Sequence, residues 1–155
     1  MISPEILRRY PFFGSLDFNQ LKEIAIISDT VTYSKGETIL NECDPADSLY
    51  LILEGLVDLY YRSSIEESKQ PPKELNAGEI SPGEFLGISS LIKPYVYNAT
   101  ARVSKDTRAI KIDSVELRKL CDGDSLLGYR IMTMLAQGAI ERLVAVRVQL
   151  AAAWS

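Results

Sequence analysis

From Asp29 onward the sequence changes period, and that change limits the possible folds more than any other feature. Short runs rich in β-branched and aromatic residues succeed one another: TVTY, ETILNE, SLYLILEG, LVDLYY, GEI, YVYNATARV and TRAIKI. Turn-forming groups separate them, namely Ser34-Lys35-Gly36, Asp44-Pro45-Ala46-Asp47, Glu54-Gly55 and Pro82-Gly83. Many short strands at near-even spacing predict a closed or sandwich-like β-structure. YLILEGLVDLYY reads as a hairpin folded at Glu54-Gly55.

Helical signals flank this region. Ser3-Pro4-Glu5 offers a cap, a first-turn proline and an acid at the positive end of the dipole. That helix should stop near Tyr10-Pro11. Asp17 with Gln20 forms a capping pair, and Leu21, Ile24, Ala25 and Ser28 follow at helical spacing, so 18–28 is a predicted helix. Asp113-Ser114-Val115-Glu116 opens another short helix, to about Leu120. Residues 125–154 carry the longest helical signal, although Gly128 and Gly138 each weaken it by about 1 kcal/mol relative to alanine. Three regions follow: a helical lead-in over 1–28, a β-domain over 29–112 and C-terminal helices over 113–155. The polar segment 62–75, RSSIEESKQPPKEL, reads as a solvated loop between two strands.

Composition narrows the function classes. The 155 residues suit one domain, and 46% hydrophobic with 25% charged content is ordinary for a soluble globular chain. The net charge of −4 argues against a general nucleic-acid binder, which needs a basic face. No apolar run is long enough to span a bilayer, and MISPEILRRY lacks the layout of a signal peptide. Cys43 and Cys121 have no metal-type spacing, and a lone thiol pair fits a reducing cytosol. The chain has no histidine, which removes the Ser-His-Asp triad, the Cys-His dyad and histidine-rich metal sites. A non-enzymatic, cytoplasmic protein without a metal is the expectation.

Several separated motifs then carry a resemblance. They are Lys35-Gly36-Glu37, Asp44-Pro45-Ala46-Asp47-Ser48-Leu49-Tyr50, Glu54-Gly55, SPGEFLG (81–87) and ATARV (99–103), in that order. Together with YPFFGSLDFNQLKEIA at the entry, they resemble the cyclic nucleotide-binding domain family of catabolite-activator-type regulators, over roughly residues 10–150. The resemblance implies a mainly β fold, an eight-stranded jelly-roll (double-stranded β-helix) barrel with helices at both ends and a long C-terminal helix. It also implies a small-molecule pocket.

The candidate pocket is Gly87, Ile88, Ser89, Ser90, Tyr97, Asn98, Ala99 and Thr100. Gly83, Gly87 and Ile88-Ser89-Ser90 are placed to expose backbone N–H groups at a helix start, which attract phosphate or carboxylate, and Ser89 and Ser90 add hydroxyl donors. The resemblance implies a glutamate after the second glycine, for the ribose, and an arginine before an x-Ala-Ser/Thr pattern, for the phosphate. This chain has Ile88 and Tyr97 there, with Asn98-Ala99-Thr100 supplying the pattern. Arg102 is an odd number of positions from Tyr97, so it is expected on the other face of the strand. The cassette is thus expected to be degenerate. Its ligand is expected to be a cyclic nucleotide held weakly, another small molecule, or nothing.

In the last helix Ala136, Ile140, Leu143, Arg147, Leu150 and Trp154 step by 4, 3, 4, 3, 4, a heptad seam suited to a homodimer through helix 125–154. The alternative lays Val144, Val148 and Ala151 back on the barrel. No helix-turn-helix follows, so direct DNA contact is not expected. The combined expectation is a regulatory or sensor module whose usual cyclic nucleotide contacts are lost. The alternative is a ligand-free dimeric scaffold.

Overall fold

A computed structural model describes residues 1–63 and 73–154. Helix α1 (Pro4–Arg8) starts as its sequence requires, with the Ser3 hydroxyl accepting from Glu5 N–H at 3.3 Å. A 3-10 turn (Pro11–Phe13) leads to α2 (Phe18–Ile26). Asp17 and Gln20 close a reciprocal capping box there: Gln20 N–H donates to Asp17 at 2.8 Å and Asp17 N–H donates to Gln20 at 3.1 Å.

The strands are β1 (Ser28–Tyr33), β2 (Thr38–Leu40), β3 (Ser48–Ser63), β4 (Lys73–Ile80), β5 (Phe85–Leu86) and β6 (Thr100–Asp113). All pairings are antiparallel, in the order β1-β6-β3-β4, with β2 joined to β6 and β5 to β3. The long strands β3 and β6 each serve the barrel twice. The first half of β3 pairs with the last half of β6, and the second half of β3 pairs with both β4 and the start of β6. Counting each long strand on both sides of its bend recovers the expected jelly-roll arrangement of eight segments. Of the sequence segment 62–75, Arg62 and Ser63 end β3 and Lys73–Leu75 begin β4, while 64–72 lie outside the described residues.

One expectation fails. Glu54-Gly55 is not a hairpin turn, because β3 runs straight through it. Gly55 has φ +100°, and the register against β6 shifts between Ile52 and Val57. This is a bulge, not a reversal. It also explains which side chains face inward. Before it, Leu49, Leu51 and Leu53 pack toward the helices while Tyr50 and Ile52 line the barrel. After it, Val57 and Leu59 line the barrel. Strict alternation would have sent these odd-numbered residues outward, so the bulge restores an apolar interior where the strand bends.

Two cores result. One fills the barrel around Tyr50, Ile52, Val57, Leu59, Ile80 and Ala109. The other lies between the barrel and the helices, where Leu51, Ile110 and Ile112 meet Leu7, Phe13 and Ile24. Helices α3 (Ser114–Gly123) and α4 (Ser125–Trp154) complete the second layer, and Leu127, Ile131 and Leu135 bury one stripe of α4. Asp113 caps α3, accepting from Glu116 N–H at 3.1 Å. Beyond Leu135 the helix leaves the core. Val144, Val148 and Ala151 are exposed, so the packing of these residues against the barrel is not realised.

Candidate functional site

A cavity of about 390 Å³ opens between the barrel wall and α4. Leu40, Leu59, Ile80, Phe85, Leu86 and Ile92 supply apolar lining. Gly87, Ile88, Ser89, Tyr97, Asn98 and Ala99 supply the segment singled out from sequence, and Ala139 and Arg142 of α4 close one side. The chain folds this way locally because Gly87 sits at φ +86° and turns β5 into a 3-10 turn (Ile88–Leu91). A Cβ on Gly87 would stand 2.8 Å from the Ser48 carbonyl oxygen and 3.3 Å from the Tyr97 ring. Only glycine allows that approach.

Tyr97 is buried, and its hydroxyl is committed. It donates to the Ser48 carbonyl at 2.8 Å and accepts from Ser48 N–H at 3.2 Å. Its backbone is held as well, with N–H to the Asp44 carbonyl and the carbonyl receiving Cys43 N–H. Burial pushes the phenol up from its usual value, which keeps the hydroxyl protonated and donating. Tyr97→Phe leaves the Ser48 pair without its partner. A loss of about 1–3 kcal/mol in urea unfolding is expected.

Two candidate residues are not in the lining. Ser90 is fully buried and turns away, its hydroxyl 2.6 Å from that of Ser114 at the start of α3. Thr100 accepts from Glu42 N–H at 3.0 Å. Both hydroxyls hold loops in place and are not offered to the cavity. The turn after Gly87 is a single 3-10 turn, with Ser90 N–H returning to the Gly87 carbonyl and Ile92 N–H to the Ser89 carbonyl, so it presents no full helix start. Arg102 lies on the outside of the barrel, paired with Glu74 and stacked over Tyr60. That agrees with its parity against Tyr97.

Arg142 was not singled out from sequence. It is the one charged side chain lining this cavity among the described residues. Nη1 donates to the Glu79 carbonyl at 2.9 Å and Nη2 to the Ala77 carbonyl at 3.1 Å, both on β4. A readable signal existed: Ile131, Leu135, Gly138 and Arg142 step by 4, 3 and 4 along α4, so an arginine closes the barrel-facing stripe.

The model of the cyclic nucleotide-binding domain family matches residues 30–124. The chain belongs to the cyclic nucleotide-binding domain family. A Geobacter metallireducens GS-15 protein of solved structure, whose name proposes cyclic nucleotide binding, is 40% identical; the match covers 92% of this chain and 99% of that one, with a TM-score of 0.80. A CRP-like cAMP-activated global transcriptional regulator of Mycobacterium tuberculosis is 24% identical over 134 residues, 86% of this chain and 57% of that protein. A cAMP-dependent protein kinase regulatory subunit of Colletotrichum orbiculare is 26% identical over 116 residues, 75% of this chain and 27% of that protein. The chain therefore spans about a quarter to three-fifths of the length of these two curated relatives. Within this cyclic nucleotide-binding domain, the cavity lies beside the Gly87 turn and α4 forms its outer wall. No helix among the described residues is long and apolar enough to cross a membrane.

Proposed function

We propose that this cyclic nucleotide-binding domain is a non-enzymatic regulatory or sensor module, placed in the reducing cytosol, whose cavity has lost the usual cyclic AMP and cyclic GMP contacts. One observation carries the reading. Tyr97, which stands where the family resemblance implies the phosphate-pairing arginine, is buried with its hydroxyl spent on Ser48. Ile88, in place of the ribose-holding glutamate, adds another apolar wall. Gly87, Ile88, Ser89, Tyr97, Asn98 and Ala99 remain the candidate ligand residues, for a ligand less polar than a nucleotide.

Thermal melts test this reading. A ligand at a hundred times its Kd stabilises a protein by about 2.7 kcal/mol, which for a chain of this size raises Tm by roughly 5–11 °C. One millimolar cyclic AMP is expected to leave Tm unchanged. A rise of about 5 °C or more is the contrary result.

A second reading, a dimeric scaffold, is favoured by the exposed apolar residues in the second half of α4. Ile140, Leu143, Leu150 and Trp154 are all exposed, at 55–85% of their surface. They belong to the heptad seam, and a helix apolar on exposed faces calls for a partner. We assign that partner to a second copy of the chain. Sedimentation is expected to show a dimer for residues 1–155 and a monomer for a version ending at Gln137. Monomers in both cases contradict the seam.

A further inference from the structure

Arg142 is the last half-buried residue of α4 among the described residues. Leu127, Ile131 and Leu135 are buried, Gly138 and Arg142 half-buried, and every described residue after Arg142 is exposed. A guanidinium carries five N–H donors in a rigid fork. The two carbonyls of β4 engage one donor on each terminal nitrogen, at 2.9 and 3.1 Å. No carboxylate pairs with Arg142 among the described residues. The cation therefore stands at a largely apolar cavity with donors to spare and, among the described residues, no carboxylate in ion-pair contact, although Glu84 and Glu141 line the neighbouring cavity that it also borders.

The rest of the lining sets the other half of the ligand. Leu40, Leu59, Ile80, Leu86, Ile88 and Ile92 offer no hydrogen-bonding side chain and reward an apolar body, while Ser89 and Asn98 add the only uncharged polar side chains besides the committed Tyr97 among the described lining residues. About 390 Å³ is at the small end for ligand pockets. A guanidinium fork matches a carboxylate in geometry as well as charge.

We propose that the cavity takes a small amphipathic monoanion, an apolar chain or ring bearing one carboxylate, with the carboxylate at Arg142 and the apolar body against the barrel wall. The assignment rests on the reading that the nucleotide contacts are lost, and it names the ligand class that replaces them. Because Arg142 also ties α4 to β4, the bound carboxylate acts on the same side chain that fixes the helix to the barrel. Occupancy is thereby linked to the position of the C-terminal half of α4.

Calorimetry with decanoate, methyl decanoate and cyclic AMP on the full chain tests the proposal. Decanoate is expected to bind one site per chain with a Kd of 100 µM or tighter, and its uncharged methyl ester at least tenfold more weakly. Arg142→Gln is expected to weaken decanoate tenfold or more and leave the ester unchanged, with Arg142→Lys recovering part of the loss. Equal binding of acid and ester overturns the proposal without any variant, so misfolding of Arg142→Gln does not shelter it. No decanoate binding at 1 mM overturns it too. If cyclic AMP is also silent in that case, only the ligand class has failed. If cyclic AMP binds at micromolar concentration, the reading of lost nucleotide contacts has failed instead.

Discussion

Gly55→Val is expected to destabilise the domain by about 3 kcal/mol or more, lowering Tm by roughly 6–12 °C. Two costs combine. The residue sits at φ +100°, where a branched side chain is strained. A Cβ there would also stand 2.3 Å from Thr107 Oγ1, 2.5 Å from the Asp106 carbonyl oxygen and 2.7 Å from Thr107 Cα. Two of those atoms are backbone of β6, which cannot yield without opening the pairing that joins the two long strands. Gly36→Ala is the control. Gly36 has a similar φ of +93° but nothing within 4 Å of its Cβ position, so it carries the conformational cost alone, about 1–2 kcal/mol. Urea unfolding of both variants separates the terms. Equal, small losses at the two positions would contradict the bulge as the device that bends β3.

The second large effect concerns affinity. The double variant Ile88→Glu with Tyr97→Arg is expected to bind cyclic AMP at least a hundredfold more tightly than the natural chain. Hydrogen bonds to charged groups are worth roughly 1.5–3 kcal/mol each. Two such contacts supply about 3–6 kcal/mol, which is two to four decades in Kd. Loss of the Tyr97 hydroxyl from Ser48 lowers the stability of the fold and not the affinity of the folded state, so the variant should be assayed well below its melting point. Unchanged affinity would show that these two positions do not account for the cavity's ligand preference.

Local signals in the sequence were sufficient wherever the structure is local. The Asp17–Gln20 box, the Ser3 cap and the Asp113 cap each form within three residues, and α1, α2 and α3 begin where those caps place them. The barrel was legible from the period change at Asp29 and from the order of the glycine turns. Gly55 was not. Glu-Gly between two apolar runs satisfies a hairpin and a bulge equally, and the choice is made by the approach of Thr107, 52 positions away in the chain. The same holds for the site. Ser90 and Thr100 have the chemistry of ligand donors, but Ser114 and the Glu42 amide claim them across 24 and 58 positions. Arg142 reaches the cavity from the other end of the chain, tied to β4 across 63 and 65 positions. Periodicity shows which face of α4 it occupies, but not what that face covers.

In the proposed reading, the stretch from Gly83 to Arg102 has a glycine turn and an Ala-Thr entry into β6, with Ile88 and the buried Tyr97 at the positions that the resemblance assigns to charged ligand contacts. The cavity beside it is walled mainly by apolar side chains, with Ser89 and Asn98 among them and the Arg142 cation at its edge. Isothermal titration of the natural chain with cyclic AMP and with cyclic GMP tests this most directly. Flat traces up to millimolar nucleotide are the expected result. A Kd in the micromolar range or tighter for either nucleotide would contradict it.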